Sequence, residues 1–146
     1  MRRVFIIMVA LLLSACASLL PPKPVESEYF TTLGGSFTMT LGQEPSIKYG
    51  ANIIIKKHLP DSTYALIEFE NPVNKAQPFV TEGTIDEIKD LFAQRYKNLF
   101  VLTSPDVYGV KRHTNYAITV SIYSDKSKQF LITRHQQLVN SSYVGD

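Results

Sequence analysis

Few residues in this sequence have the chemistry of a site. Cys16 is the sole cysteine, and His58, His113 and His135 are the three histidines. The histidines lie in separate segments, none close enough to another to form the paired ligands that metal sites use. No metal centre or cofactor is therefore expected. Glu68 and Glu70 stand two apart and could form a carboxylate pair on one strand face, although a solvated face accounts for them as simply. No serine sits in a Gly-x-Ser-x-Gly elbow. Gly34-Gly35 lacks the lysine and the helix of a phosphate loop. Asn140-Ser141-Ser142 fits a glycosylation sequon. These residues assemble no nucleophile, base or ligand set, and the chain is not expected to be an enzyme.

That leaves Cys16 and its setting. Arg2 and Arg3 precede an uncharged apolar run from Val4 to Leu13, then the small residues Ser14 and Ala15. A charged start, an apolar core and a small-residue exit describe a secretory signal peptide. The end, Leu13-Ser14-Ala15-Cys16, resembles a bacterial lipobox. That resemblance implies cleavage between Ala15 and Cys16 and attachment of lipid to the Cys16 sulfur. Several acyl chains, at about 0.8 kcal/mol per buried CH₂, exceed what stable anchoring requires. An anchored Cys16 forms no disulfide, so the domain must stand on its core. The resemblance also implies a place in the cell envelope. The residue after the cysteine, Ala17, is not the aspartate that retains many such proteins at the inner membrane, so the outer membrane is expected.

Residues 1–15 are thus read as the signal, 16–28 as the lipidated cysteine and its tether, and 29–146 as the domain. Pro21, Pro22 and Pro24 favour an extended, semi-rigid spacer. Without Arg2 and Arg3 the 15 basic residues become 13, equal to the 13 acidic ones. A neutral chain with no basic cluster is not expected to bind nucleic acid.

Beyond Tyr29 the pattern is of short strands between turns. Phe37, Met39 and Leu41 alternate after the punctuating Gly34-Gly35. Ala51, Ile53 and Ile55 alternate in "ANIIIKK". In "TYALIEFE" the core set is Ala65, Ile67 and Phe69. A short edge strand is expected from Gln77 to Thr81, and others from Leu99 to Thr103 and from Lys128 to Leu138. "NYAITVSIY" alternates most clearly, with Tyr116, Ile118, Val120 and Ile122 on one side. Only one stretch, about 84–97, has helical spacing: Ile85, Ile88, Leu91, Phe92 and Tyr96. Thr84 and Glu87 fit a capping box at its start. About seven strands and one helix predict a mainly β protein, an antiparallel sandwich.

The stretch Ser104 to Asp125 resembles the E–F corner and F strand of fibronectin type III and immunoglobulin-like domains. Val110, the turn Lys111 to Asn115, then Tyr116, Ile118 and Val120 carry the likeness. It implies an immunoglobulin-like sandwich in which Tyr116 bonds back to the preceding turn, with "TYALIEFE" and "NYAITVSIY" side by side. The helix and the absence of tryptophan depart from that pattern.

A tethered sandwich works through faces and edges. The expected role is a membrane-anchored module for protein interaction or assembly in the envelope; binding of a small ligand or glycan is the alternative. If the core sets point inward, Tyr64, Leu66 and Tyr123 point outward, with Glu68 and Glu70 as an acidic rim. Tyr64, Leu66, Glu68 and Tyr123 are therefore the candidate face for a protein partner.

Overall fold

The most regular alternation in the chain, Asn115–Tyr123, becomes the strand next to the centre of the larger sheet. A computed structural model describes residues 24–91 and 98–144. Seven strands form: β1 (Phe30–Thr40), β2 (Ser46–Ile55), β3 (Tyr64–Phe69), β4 (Phe79–Thr84), β5 (Leu99–Thr103), β6 (Asn115–Tyr123) and β7 (Leu131–Asn140). They make two antiparallel sheets, β1-β2-β5 and β4-β3-β6-β7. The protein is a mainly β, seven-stranded sandwich with one short helix, α1 (Ile85–Leu91). The chain changes sheet between β2 and β3, between β4 and β5, and between β5 and β6. This sets β3 beside β6, with Tyr64 opposite Tyr123 and Phe69 opposite Ile118.

The core lies between the sheets. Ala65, Ile67 and Phe69 of β3 face Ala51 and Ile53 of β2 and Phe100 and Leu102 of β5, together with Tyr116, Ile118, Val120 and Ile122 of β6. All are buried. Tyr49, one alternation upstream of Ala51, is the largest fully buried side chain. It stacks on Phe37 at 5.2 Å and meets Phe69 and Tyr116 at 6.0 Å, and its hydroxyl donates to the Glu70 carbonyl at 2.6 Å. Burial first, then the Glu70 carboxylate, pushes its phenol well above the ordinary tyrosine range.

The capping box forms. Thr84 Oγ1 accepts from the Glu87 amide at 3.2 Å, and Glu87 Oε2 accepts from the Thr84 amide at 2.8 Å. Both orphan amides are satisfied at the point where β4 becomes α1. Ile85 and Ile88 enter the core. Phe92 and Tyr96, the later apolar positions of the expected helix, lie outside the described residues.

Three expectations change. Gly34-Gly35 does not end a turn; both glycines lie inside β1, where the register shifts between Thr32 and Gly34. Gly35 is needed for close approach, since a Cβ there would stand 2.8 Å from Val139 Cγ2 and 2.9 Å from the Gly50 carbonyl oxygen. Met39 and Leu41 are exposed, while Phe37 alone of that set packs on the core. And the tether does not run to Glu28. The Val25 carbonyl accepts from the Gln136 amide at 2.6 Å, and Ser27 is buried against β7, so the packed chain begins four residues before Tyr29.

Candidate functional site

Outside the larger sheet, β4 contributes Val80, Glu82 and Thr84, and β3 contributes Tyr64, Leu66 and Glu68. Cross-strand pairing sets Tyr123, Ser121 and Thr119 of β6 beside them, and Leu131, Arg134 and Gln136 of β7 beyond. The sequence-derived face is brought together: Leu66, Glu68 and Tyr123 are half-buried on one surface. Tyr64 is not exposed as expected; 9% of it meets solvent. Lys128, in the turn that joins β6 to β7, lies near it. Lys128 Nζ bonds Glu82 Oε2 at 2.7 Å, and the ammonium sits close enough to feel both Tyr64 and Tyr123. The bond to Glu82, above all, raises the Lys128 pKa. Arg134 reaches from β7 to β6 and donates from Nε to the hydroxyl of the fully buried Ser121 at 3.0 Å. Long cationic side chains lay their methylenes over the sheet and keep their charges in water. The apolar groups left open stand at the margins: Val80 on β4, Leu131 and Leu138 on β7, and Phe130 in the turn.

Glu70 is no part of an acidic rim. Its Oε2 accepts from the Ala117 amide at 3.0 Å and its Oε1 pairs with Lys75 at 3.2 Å. The carboxylate closes the ladder between β3 and β6, so it pairs with no Glu68.

Tyr116 sits at the corner. Its hydroxyl accepts from the Lys111 amide at 2.7 Å, and its ring is 3% exposed. Ser141 holds the same turn from the other side, donating to the Lys111 carbonyl and accepting from the Thr114 amide at 3.0 Å. His113 lies exposed between them with φ of 53°, the left-handed conformation a tight turn demands. Ser141, the middle of the sequon, is thus a buried clamp.

His58 is exposed on a loop, whereas His135 is 2% exposed. Its Nδ1 accepts from the Ser27 amide at 3.2 Å and its Nε2 meets Thr32 Oγ1 at 2.8 Å. The Ser27 hydroxyl bonds Thr133 beside it, and the imidazole meets the Phe30 ring edge-on at 5.7 Å. Burial pushes the His135 pKa down; Glu26 opposes this and Lys56 adds to it. An imidazole that accepts at Nδ1 and donates at Nε2 is a neutral tautomer held as a clasp. It fastens Val25–Tyr29, a strap, to β7. Sequence reading missed the clasp because its partners are a backbone amide and a hydroxyl far away in the chain.

Among the described residues no three of histidine, cysteine, aspartate and glutamate cluster as metal ligands, and no helix is long and apolar enough to cross a membrane. Ala15 and Cys16 lie outside the described residues. Comparison of the chain with family models, with curated proteins and with solved structures finds no match.

Proposed function

We propose that the chain is an envelope lipoprotein, anchored through Cys16 at the outer membrane, whose sandwich presents the outer face of β4-β3-β6-β7 to a protein partner. The observation that carries the interaction role is the makeup of that face. Half-buried Leu66 and Tyr123 lie between open apolar margins at Val80, Leu131 and Leu138, with Glu82, Lys128 and Arg134 interspersed. An amphipathic patch of aromatic, aliphatic and arginine side chains has the composition of interaction surfaces. The lipid reading rests on Leu13-Ser14-Ala15-Cys16. Val25 packs on β7 and follows Cys16 by nine positions, so at about 3.1 Å per residue an extended tether would reach about 28 Å.

Two measurements test the two halves. Mass spectrometry of protein extracted from membranes should find Cys16 as an acylated amino terminus; an intact Met1 or a free Cys16 thiol refutes the anchor. Cross-linking in intact cells should give an adduct that Val80→Arg or Leu131→Arg removes while the urea midpoint stays unchanged. Adducts that persist in both variants refute the face.

A further inference from the structure

The first four residues of the strap, Val25–Glu28, are held to the sandwich mainly by polar groups. Val25, Glu26 and Glu28 are exposed, and of the four only Ser27 is buried. The segment hides no whole apolar side chain, and few buried apolar contacts mark a part of a fold that opens locally. Four polar contacts between described residues fasten it. The Val25 carbonyl accepts from the Gln136 amide at 2.6 Å. The Ser27 amide donates to His135 Nδ1 at 3.2 Å, and the Ser27 hydroxyl bonds Thr133. Glu28 pairs with Lys57 at 2.6 Å, but both side chains are exposed, and such a pair contributes little. The hold on β7 thus centres on His135. Downstream the chain is secured separately: the Tyr29 carbonyl accepts from the Lys56 amide at 2.7 Å, and Phe30 is buried in the core.

The proton on His135 decides whether these contacts are compatible. The neutral ring accepts from Ser27 at Nδ1 and donates from Nε2 to Thr32 Oγ1 at 2.8 Å. The imidazolium carries a hydrogen on each nitrogen and accepts at neither. Thr32 tolerates either form, because a hydroxyl accepts as well as donates. The Ser27 amide does not, since a donor would then face a donor across 3.2 Å. The charge would also stand on a side chain that is 2% exposed, a costly place for it. The groups around the ring offer little relief. β1 sets Phe30 and Thr32 against it, β6 sets Val120 opposite, and Thr133 and Gln137 flank it on β7; none of these is charged. Glu26 on the strap favours the charge and Lys56, just after β2, opposes it, while burial is the largest influence. Opening the strap removes both faults, because the two donors part and Nδ1 reaches water.

We infer that Val25–Glu28 is an acid-released latch: a proton on His135 frees this segment from β7 while both sheets stay folded. The closed latch binds fewer protons at His135 than the open one, because burial holds the closed value below the ordinary histidine range. The closing contribution of His135 is therefore complete above the open-state value of about 6.5 and is lost as pH falls through the closed-state value. Release bares the Gln136 amide on β7, the edge strand of its sheet, and adds Val25–Glu28 to the free length of chain before the sandwich. The inference depends neither on the lipid nor on the outer face of the larger sheet.

Amide hydrogen exchange of the full chain carrying Cys16→Ser, in mild detergent, reads the latch at Gln136 and the sheets at Ile118, buried on β6. With intrinsic exchange rates divided out, Gln136 should be protected far less than Ile118 at every pH, because the latch opens without the sheets. From pH 7.5 to 5.0 its protection should fall by up to about tenfold per pH unit below the open-state value, the most that one proton can drive. His135→Asn keeps a neutral acceptor near the Nδ1 position and takes up no proton, so its Gln136 protection should stay flat. A second reading needs no change at His135 and holds even if that variant fails to fold. In NMR titration of the same chain, protonation of the His135 ring should share one midpoint with the shifts of the Ser27 and Gln136 amides. Equal protection of Gln136 and Ile118, a flat profile at Gln136, the same fall in His135→Asn, or a ring that protonates without moving the two amides overturns the inference.

Discussion

Tyr116→Phe isolates one oxygen atom. The ring is almost wholly buried and packs at 5.8 Å from Phe37 and 6.0 Å from Tyr49. Phenylalanine keeps those contacts and the buried apolar area. What disappears is the acceptor for the Lys111 amide at 2.7 Å. A typical intramolecular hydrogen bond contributes about 1 kcal/mol net, and a donor left buried without a partner costs about 1–3 kcal/mol. Lys111 is itself exposed, so water can reach part of its amide, and the loss should sit near the lower end, about 1–1.5 kcal/mol. In a domain of this size that is about 4 °C in melting temperature. The control is Tyr123→Phe, on the half-buried outer face, with an expected change within about 0.5 kcal/mol. Urea unfolding followed by circular dichroism reads both, with the slope unchanged if only stability moves. Equal midpoints for wild type and Tyr116→Phe would refute the idea that this hydroxyl holds the corner.

The remaining predictions concern the clasp and one glycine. The neutral His135 that holds the strap has a pKa below the usual histidine range, so the folded state binds fewer protons than the unfolded one near pH 6. Its contribution is complete above the unfolded value of about 6.5 and is lost as pH falls through the folded value; urea midpoints at pH 7.5 and 5.5 should differ, and His135→Gln should remove much of that difference. A flat profile for the wild type between these pH values refutes the clasp. At Gly50 a Cβ would lie 2.1 Å from the Leu102 carbonyl oxygen, a backbone atom, so Gly50→Ala must part β2 from β5 and should cost about 3 kcal/mol, the upper end of overpacking. Gly42→Ala, with nothing within 4 Å of its Cβ, should cost almost nothing; equal midpoints for these two variants would show that the ladder at Gly50 yields freely.

How far the sequence was legible depends on what each residue was asked to reveal. β6 was plain because it lies between β3 and β7 with one face on the core, so alternation and burial coincide. All seven strands were placed, yet β1 and β2 each began earlier than expected. Thr31, Thr32 and the glycines of β1 carry no apolar contrast, because that strand buries little. Tyr49 continues the Ala51–Ile53 alternation two residues upstream and could have been found there; the polar and glycine neighbours Lys48 and Gly50 concealed it. Tyr64 shows a different limit. Alternation correctly placed it on the outer side of β3, but facing outward is not the same as being exposed. What lies over the sheet, including Lys128, 64 positions away in the numbering, is not written in the alternation of β3.

β7 resisted reading for a related reason. Its inward positions include His135 and Gln137, both buried, so the apolar contrast that identifies a core face is missing. Buried polar groups are tolerated where partners satisfy them. His135 is satisfied by the strap and by Thr32 of β1, whereas Gln137 Oε1 has no partner among the described residues. The strap supplies the Ser27 amide to His135 and the Ser27 hydroxyl to Thr133, and Val25 accepts from the backbone of Gln136. Without the strap, His135 Nδ1 and the Thr133 hydroxyl would lose these partners, while His135 Nε2 would keep Thr32 of β1. His135 and Thr133 therefore mark where the strap belongs. The same strand alternates outward through Arg134 and Leu138 to the proposed partner face, so one strand carries the fastening of the strap on one side and that face on the other.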